Sequence, residues 1–62
     1  MSAKSAILER LKKASLPLAV HELGLIGYNE NNLATRLSEL ATDGFVIGRK
    51  RQGKQYKEWR LV

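Results

Sequence analysis

The sequence contains no cysteine and a single histidine, His21, in a chain of 62 residues. Disulfides and thiolate metal sites are therefore excluded, and a zinc site built mostly from carboxylates is not expected. A chain of this length is near the lower limit at which apolar packing alone can hold a fold. We expect one domain over residues 1–62 that is stabilised by its core and holds no metal or cofactor.

Positive charge is confined to the C-terminal part of the chain. Residues 1–48 hold five basic and five acidic side chains, whereas residues 49–62 hold six basic side chains and one acid, Glu58. The formal net charge of +5 therefore lies entirely in the last fourteen residues. An element that faces a polyanion explains this segregation better than a surface kept basic for solubility.

Apolar periodicity predicts a first helix over residues 3–14, with Ile7, Leu8, Leu11 and Ala14 on its inner stripe. Either serine at positions 2 and 5 can cap its start. Pro17 cannot continue a helix and favours an extended backbone before it. A short edge strand or an extended connection is therefore expected over residues 15–18.

Two further helices are predicted, separated by a turn at Gly27. The second helix spans residues 20–26 and directs Leu23 and Ile26 inward. The third spans residues 30–43, with Asn29 as its N-cap and a glycine, Gly44, after its last turn. Its expected inward positions are Leu33, Leu37, Leu40 and Ala41.

Residues 45–62 have the pattern of a β-hairpin that turns near residues 52–53. Trp59 and Leu61 alternate onto one face, and we expect Trp59 to belong to the core rather than to a binding surface. The expected cross-strand pairs are Arg49 with Tyr56 and Val46 with Trp59.

From Glu22 onward the residues resemble the winged helix-turn-helix superfamily of bacterial regulators. Residues 26–29 (Ile-Gly-Tyr-Asn) match the turn of that family, and the leucines of the third helix match its apolar spacing. Residues 44–46 (Gly-Phe-Val) match the start of the wing, and residues 59–61 (Trp-Arg-Leu) match its closing strand. The resemblance implies an α+β fold with three helices, a short strand between the first two and a C-terminal hairpin wing.

The resemblance also implies that helix 30–43 enters the major groove of double-stranded DNA and that hairpin 45–61 lies along the backbone or in the minor groove. Asparagine, threonine and arginine can recognise base edges, and exposed cations neutralise phosphates. The candidate DNA contacts are Asn31, Asn32, Thr35, Arg36, Ser38, Arg49, Lys50, Arg51, Lys54 and Lys57.

The predicted function is sequence-specific binding of double-stranded DNA, as in a prokaryotic or phage transcriptional regulator in the cytoplasm. Two alternatives stay open: a winged helix that binds nucleic acid in replication, recombination or RNA metabolism, and one that binds protein. The second needs exposed apolar surface, of which the sequence predicts little. A second copy of the chain or a helper protein on DNA is a further open partner.

Other functions are not expected. The sequence shows no Ser/His/Asp set, no paired carboxylates and no phosphate-binding glycine loop, so we predict that the protein is not an enzyme. Apolar runs are only a few residues long and the N-terminus has no signal-peptide pattern, so no membrane partner is predicted.

Overall fold

A computed structural model describes residues 2–62. The elements in chain order are helix α1 (Ala3–Lys13), strand β1 (Leu18–Ala19), a 3-10 turn (Val20–Glu22), helix α2 (Glu30–Thr42), strand β2 (Val46–Lys50) and strand β3 (Lys57–Leu61). The strands form one antiparallel sheet in the order β1-β3-β2. The described chain is thus a small α+β domain, as predicted, with two α-helices and a three-stranded sheet.

Helix α1 follows the predicted pattern. The Oγ of Ser2 accepts a hydrogen bond from the backbone N–H of Ser5 at 3.1 Å, which satisfies one of the free donors at the helix start. Ile7 and Leu11 are buried on the inner side of the helix. After Lys13 the chain becomes extended and runs past Pro17 into β1, the short edge strand that pairs with β3.

The prediction of a second α-helix over residues 20–26 is wrong. Only the 3-10 turn forms, and Gly24 then takes a positive φ of 65°, which a continuing right-handed helix does not allow. Leu23 is 1% exposed, as predicted, but Ile26, predicted to face the core, is 97% exposed. Because Gly24 and Gly27 both redirect the backbone, the helical spacing no longer governs which side chains point inward.

Helix α2 corresponds to the predicted third helix, and both of its ends carry the expected signals. The Oδ1 of Asn29 accepts a hydrogen bond from the N–H of Asn32 at 2.7 Å. At the other end Gly44 has a φ of 87°, and its N–H donates to the carbonyl of Ala41 while that of Phe45 donates to Leu40. These two bonds form a Schellman motif, which requires a left-handed residue at that position.

The hairpin forms, but its predicted register is wrong by two residues. Gly48, not Val46, lies opposite Trp59, and Arg49 lies opposite Glu58 rather than Tyr56. The strands end at Lys50 and Lys57, and the six-residue loop between them, 51–56, contains the predicted turn at residues 52–53. In that turn the N–H of Lys54 donates to the carbonyl of Arg51 at 3.0 Å, and Gly53 has a φ of 76°. A shift of two residues keeps each side chain on its predicted face, so Trp59 still packs inward at 6% exposure.

The core lies between the two helices and one face of the sheet. Its members are Ile7, Leu11, Leu23, Leu33, Leu37, Leu40, Val46 and Trp59. Gly48 makes room for the indole of Trp59, because a Cβ at Gly48 would lie 2.5 Å from the Cζ3 of that ring. This glycine therefore helps to fix the register of the hairpin.

The apolar surface is larger than the sequence predicted. In residues 2–62 four large apolar side chains are exposed, at fractions from 54% for Phe45 to 97% for Ile26. The other two are Leu16 and Val62. Lack of apolar surface is therefore not an argument against a protein partner.

Candidate nucleic-acid interface

The outward face of α2 presents the uncharged polar side chains that the sequence nominated. Helical periodicity buries Leu33, Leu37 and Leu40 against the core. The nominated uncharged side chains, all of them exposed, are Asn31, Asn32, Thr35 and Ser38. The hydroxyl of Thr35 donates to the carbonyl of Asn31 at 3.0 Å, which leaves its oxygen free to accept a hydrogen bond.

Arg36 is less available than its neighbours. Its Nε lies 3.3 Å from Oε1 of Glu39, without the alignment of a hydrogen bond, and the side chain is 36% exposed. Glu39 also pairs with Lys4 at 3.3 Å, and Lys4 reaches Asp43 at 3.9 Å. The charged side chains in the C-terminal half of α2 are therefore engaged in ion pairs, whereas the N-terminal half presents the exposed Asn31, Asn32 and Thr35.

Four of the nominated hairpin cations are exposed: Arg49, Lys50, Lys54 and Lys57. Within residues 2–62 none of them forms an ion pair with an acidic side chain. Lys57 places its Nζ 5.7 Å from the centroid of the Trp59 ring, a cation–π contact that leaves the charge uncompensated. Lys50 and Lys54 line a concave surface formed by the loop. These cations are thus free to meet phosphates.

Arg51, also nominated as a DNA contact, is engaged within the chain. Its Nε donates to Oε2 of Glu58 at 2.8 Å, and its Nη2 donates to Oε1 of Glu22 at 2.9 Å. Its Nη1 lies 3.2 Å from the hydroxyl of Tyr56. The side chain is only 28% exposed. We call this group of Glu22, Arg51, Tyr56 and Glu58 the arginine clamp.

The arginine clamp shifts the pKa values of Glu22 and Arg51. The hydrogen bond from Arg51, together with the one from the N–H of Ala19 at 2.8 Å, lowers the pKa of Glu22 from 4.5 to about 2. The bonds to Glu22 and then Glu58 raise the pKa of Arg51. The clamp joins the hairpin to the 3-10 turn. Sequence reasoning missed it because the two ends are 29 positions apart and no local pattern marks them.

The 3-10 turn lies between the two nominated surfaces. The ring of His21 contacts the ring of Tyr56 edge to face, with centroids 4.8 Å apart. His21 also lines a surface depression together with Glu30 and Leu33, at the start of α2. The base of the hairpin loop and the N-terminal half of α2 therefore flank one turn. The carboxylate of Glu22 on that turn is neutralised by Arg51.

The protein matches no family model and no curated protein. In residues 2–62 no helix has the length and apolar character needed to cross a membrane. The same residues contain no cluster of three or more His, Cys, Asp or Glu side chains placed to hold a metal ion.

Proposed function

We propose that the domain binds double-stranded DNA sequence-specifically as a minimal winged-helix module, with α2 in the major groove and the β2–β3 hairpin along the backbone. The observation that supports this proposal is the arrangement around the 3-10 turn. An exposed asparagine-rich helix face lies on one side, and a hairpin with four nominated cations that form no ion pair within residues 2–62 lies on the other. In this proposal the 3-10 turn and the loop to Asn29 replace the second helix of the resembled family.

The N-terminal half of α2 supplies the base contacts. An α-helix fits the major groove, where each base pair presents a distinct set of donors and acceptors. The amide of Asn31 can bond in bidentate fashion to adenine, and the hydroxyl and methyl of Thr35 can contact a base edge or a thymine methyl. Both side chains are exposed, so neither has to leave the core in order to bind.

The hairpin supplies binding affinity that does not depend on the base sequence of the DNA. Each phosphate neutralised releases counterions, so binding weakens with salt by a logarithmic slope of about −0.9 per contact. The four nominated free cations, if each contacts one phosphate, therefore predict a slope of about −3 to −4. Arg51 is excluded from this count because its guanidinium is held in the arginine clamp.

The test begins with selection of bound duplexes from a random pool, followed by fluorescence anisotropy on the enriched site. Asn31→Ala should cost about 1–3 kcal/mol on that site and leave the salt slope unchanged, since it removes a base contact. Lys54→Ala should weaken binding to all duplexes and reduce the slope by about 1. Lys13→Ala, on α1, is the control and should change neither quantity. Failure to enrich any site, or binding that salt does not weaken, would refute the proposal.

A second candidate is binding of nucleic acid without strict sequence preference, in replication, recombination or RNA metabolism. The observation that favours it is that the unpaired cations of the hairpin suit any polyanion, RNA included. An RNA hairpin added as competitor distinguishes the two. If the RNA hairpin displaces the selected duplex at equal concentration, this candidate is favoured. If displacement needs a large excess of RNA, the sequence-specific DNA-binding function is supported. A cytoplasmic prokaryotic or phage regulator remains the role that we propose.

A further inference from the structure

Leu16 is one of the large apolar side chains of residues 2–62 that are exposed to solvent. It lies on the connection between α1 and β1, and 73% of its surface is open to solvent. Pro17 follows it and restricts its backbone to extended conformations, so the side chain is presented from a constrained segment. A single exposed leucine needs no explanation in itself. Leu16 is of interest because it lines two neighbouring surface grooves.

Two surface grooves meet at Leu16. The first has a volume of about 300 Å³, and its apolar lining comes from Leu11, Ala14, Pro17 and Leu61. The second has a volume of about 330 Å³ and includes Leu18. Leu16 lines both. We call this combined surface the Leu16 groove.

The charged side chains that line the Leu16 groove are all basic: Arg10, Lys12, Lys13 and Arg60. Within residues 2–62 neither lysine forms an ion pair. The two arginines donate only to neutral carbonyls, Arg10 to Leu23 at 3.0 Å and Arg60 to Leu61 at 3.4 Å. The positive charge around the apolar lining is therefore uncompensated.

We propose that the Leu16 groove binds an acidic segment of a partner protein that inserts apolar side chains beside Leu16. The apolar lining favours a peptide over a nucleic acid, whose backbone offers phosphates and sugars. A second copy of this chain is a poor match, because it carries a net charge of +5. Four of its carboxylates are already held in ion pairs, namely those of Glu22, Glu39, Asp43 and Glu58.

The Leu16 groove is separate from the proposed DNA interface. Leu61, at one end of β3, lies about 13 Å from Lys57 at the other, at the usual rise of an extended strand. Both surfaces can therefore be occupied at once, as in recruitment of a helper protein by a DNA-bound domain. None of the residues that line the groove is among the nominated DNA contacts, so this inference does not depend on the proposed function.

The test is a titration of the whole chain, labelled with ¹⁵N, with a synthetic peptide that has leucines at helical i, i+3, i+4 and i+7 positions and glutamates elsewhere. We expect amide shifts centred on Leu16, Leu61 and Lys12. Leu16→Ser should weaken binding about tenfold, the loss expected when one leucine side chain is no longer buried. The control is Ile26→Ser, which removes an equally large exposed side chain outside the groove and should leave the affinity unchanged.

Three results would overturn the inference. The first is shifts confined to the hairpin cations, which would indicate general attraction of acids. The second is equal affinity of the Leu16→Ser variant and the unmodified protein, with both shown to be folded by their amide spectra. The third is a larger response of the groove amides to a DNA duplex than to the peptide, which would assign the groove to nucleic acid.

Discussion

Gly48→Ala should destabilise the domain through one steric conflict. Gly48 lies opposite Trp59 in the paired strands β2 and β3. A Cβ at this position would lie 2.5, 2.7 and 2.8 Å from three carbons of the indole ring, where ordinary contacts begin at 3.4 Å. The ring would have to move by about 1 Å within a close-packed core. Trp59 is only 6% exposed, so there is little space into which it can move.

The expected magnitude follows from two opposing effects. Overpacking of a core costs about 1–3 kcal/mol, and replacing a strand glycine by alanine returns about 0.5–1 kcal/mol by restricting the unfolded chain. The net loss is about 1–2 kcal/mol in the free energy of unfolding. For a domain of this size each kcal/mol lowers the melting temperature by about 4–8 °C, so we expect a decrease of roughly 5–15 °C.

The assay is urea denaturation followed by fluorescence, because Trp59 is the only tryptophan in the chain. The same substitution in a Trp59→Phe background, followed by circular dichroism, supplies the matched control. Phenylalanine lacks the outer ring carbons that the new methyl group would meet, so there Gly48→Ala should be neutral or slightly stabilising. A Gly48→Ala protein as stable as the original, or an equal loss in both backgrounds, would refute the steric explanation.

Three further predictions concern stability. Leu23→Ala should lower the free energy of unfolding by about 2–5 kcal/mol because Leu23 is buried. Ile26→Ser, at an exposed position, should change it by less than about 0.5 kcal/mol. Equal effects of the two substitutions in urea denaturation would contradict the assigned burial. Asn29→Ala should cost about 1 kcal/mol in the same assay, and Asn29→Ser much less, because serine also caps a helix. Because folding lowers the pKa of Glu22 from 4.5 to about 2, its contribution should be complete above pH 4.5 and lost as the pH falls toward 2. Glu22→Gln should flatten that part of the stability–pH curve, and an unchanged curve would exclude Glu22 as its origin.

Helix α2 was predictable from sequence because its determinants are local. Asn29 caps the first turn, and Gly44 reverses the backbone after the last. The exposure of Asn31 and Thr35 follows from the same helical period that buries Leu37. The segment before α2 was not predictable in this way, because its apolar spacing fits a helix equally well. The positive φ at Gly24 decides the outcome, and a glycine does not reveal its conformation in the sequence.

The prediction of the hairpin register was wrong for a different reason. The predicted turn at residues 52–53 forms, but its position alone does not fix the register, which depends on contacts between distant positions. Gly48 must face Trp59, and Arg51 must reach both Glu58 and Glu22. The same clamp removes Arg51 from the set of free cations. For this reason the sequence could nominate a basic hairpin, but it could not distinguish the cations that face solvent from Arg51, which pairs with Glu22 and Glu58.

The order of the strands has a consequence for how the domain is made. The central strand, β3, is the last of the three along the chain, so β1 and β2 have no partner until it has been synthesised. A nascent chain that ends before Lys57 can form its helices but not its sheet. The apolar side chains of β2 then lack the neighbouring strand β3 beside which they pack. The domain should therefore fold only after the ribosome has released residues 57–61. A chain that terminates early should be recognised by proteases as unfolded.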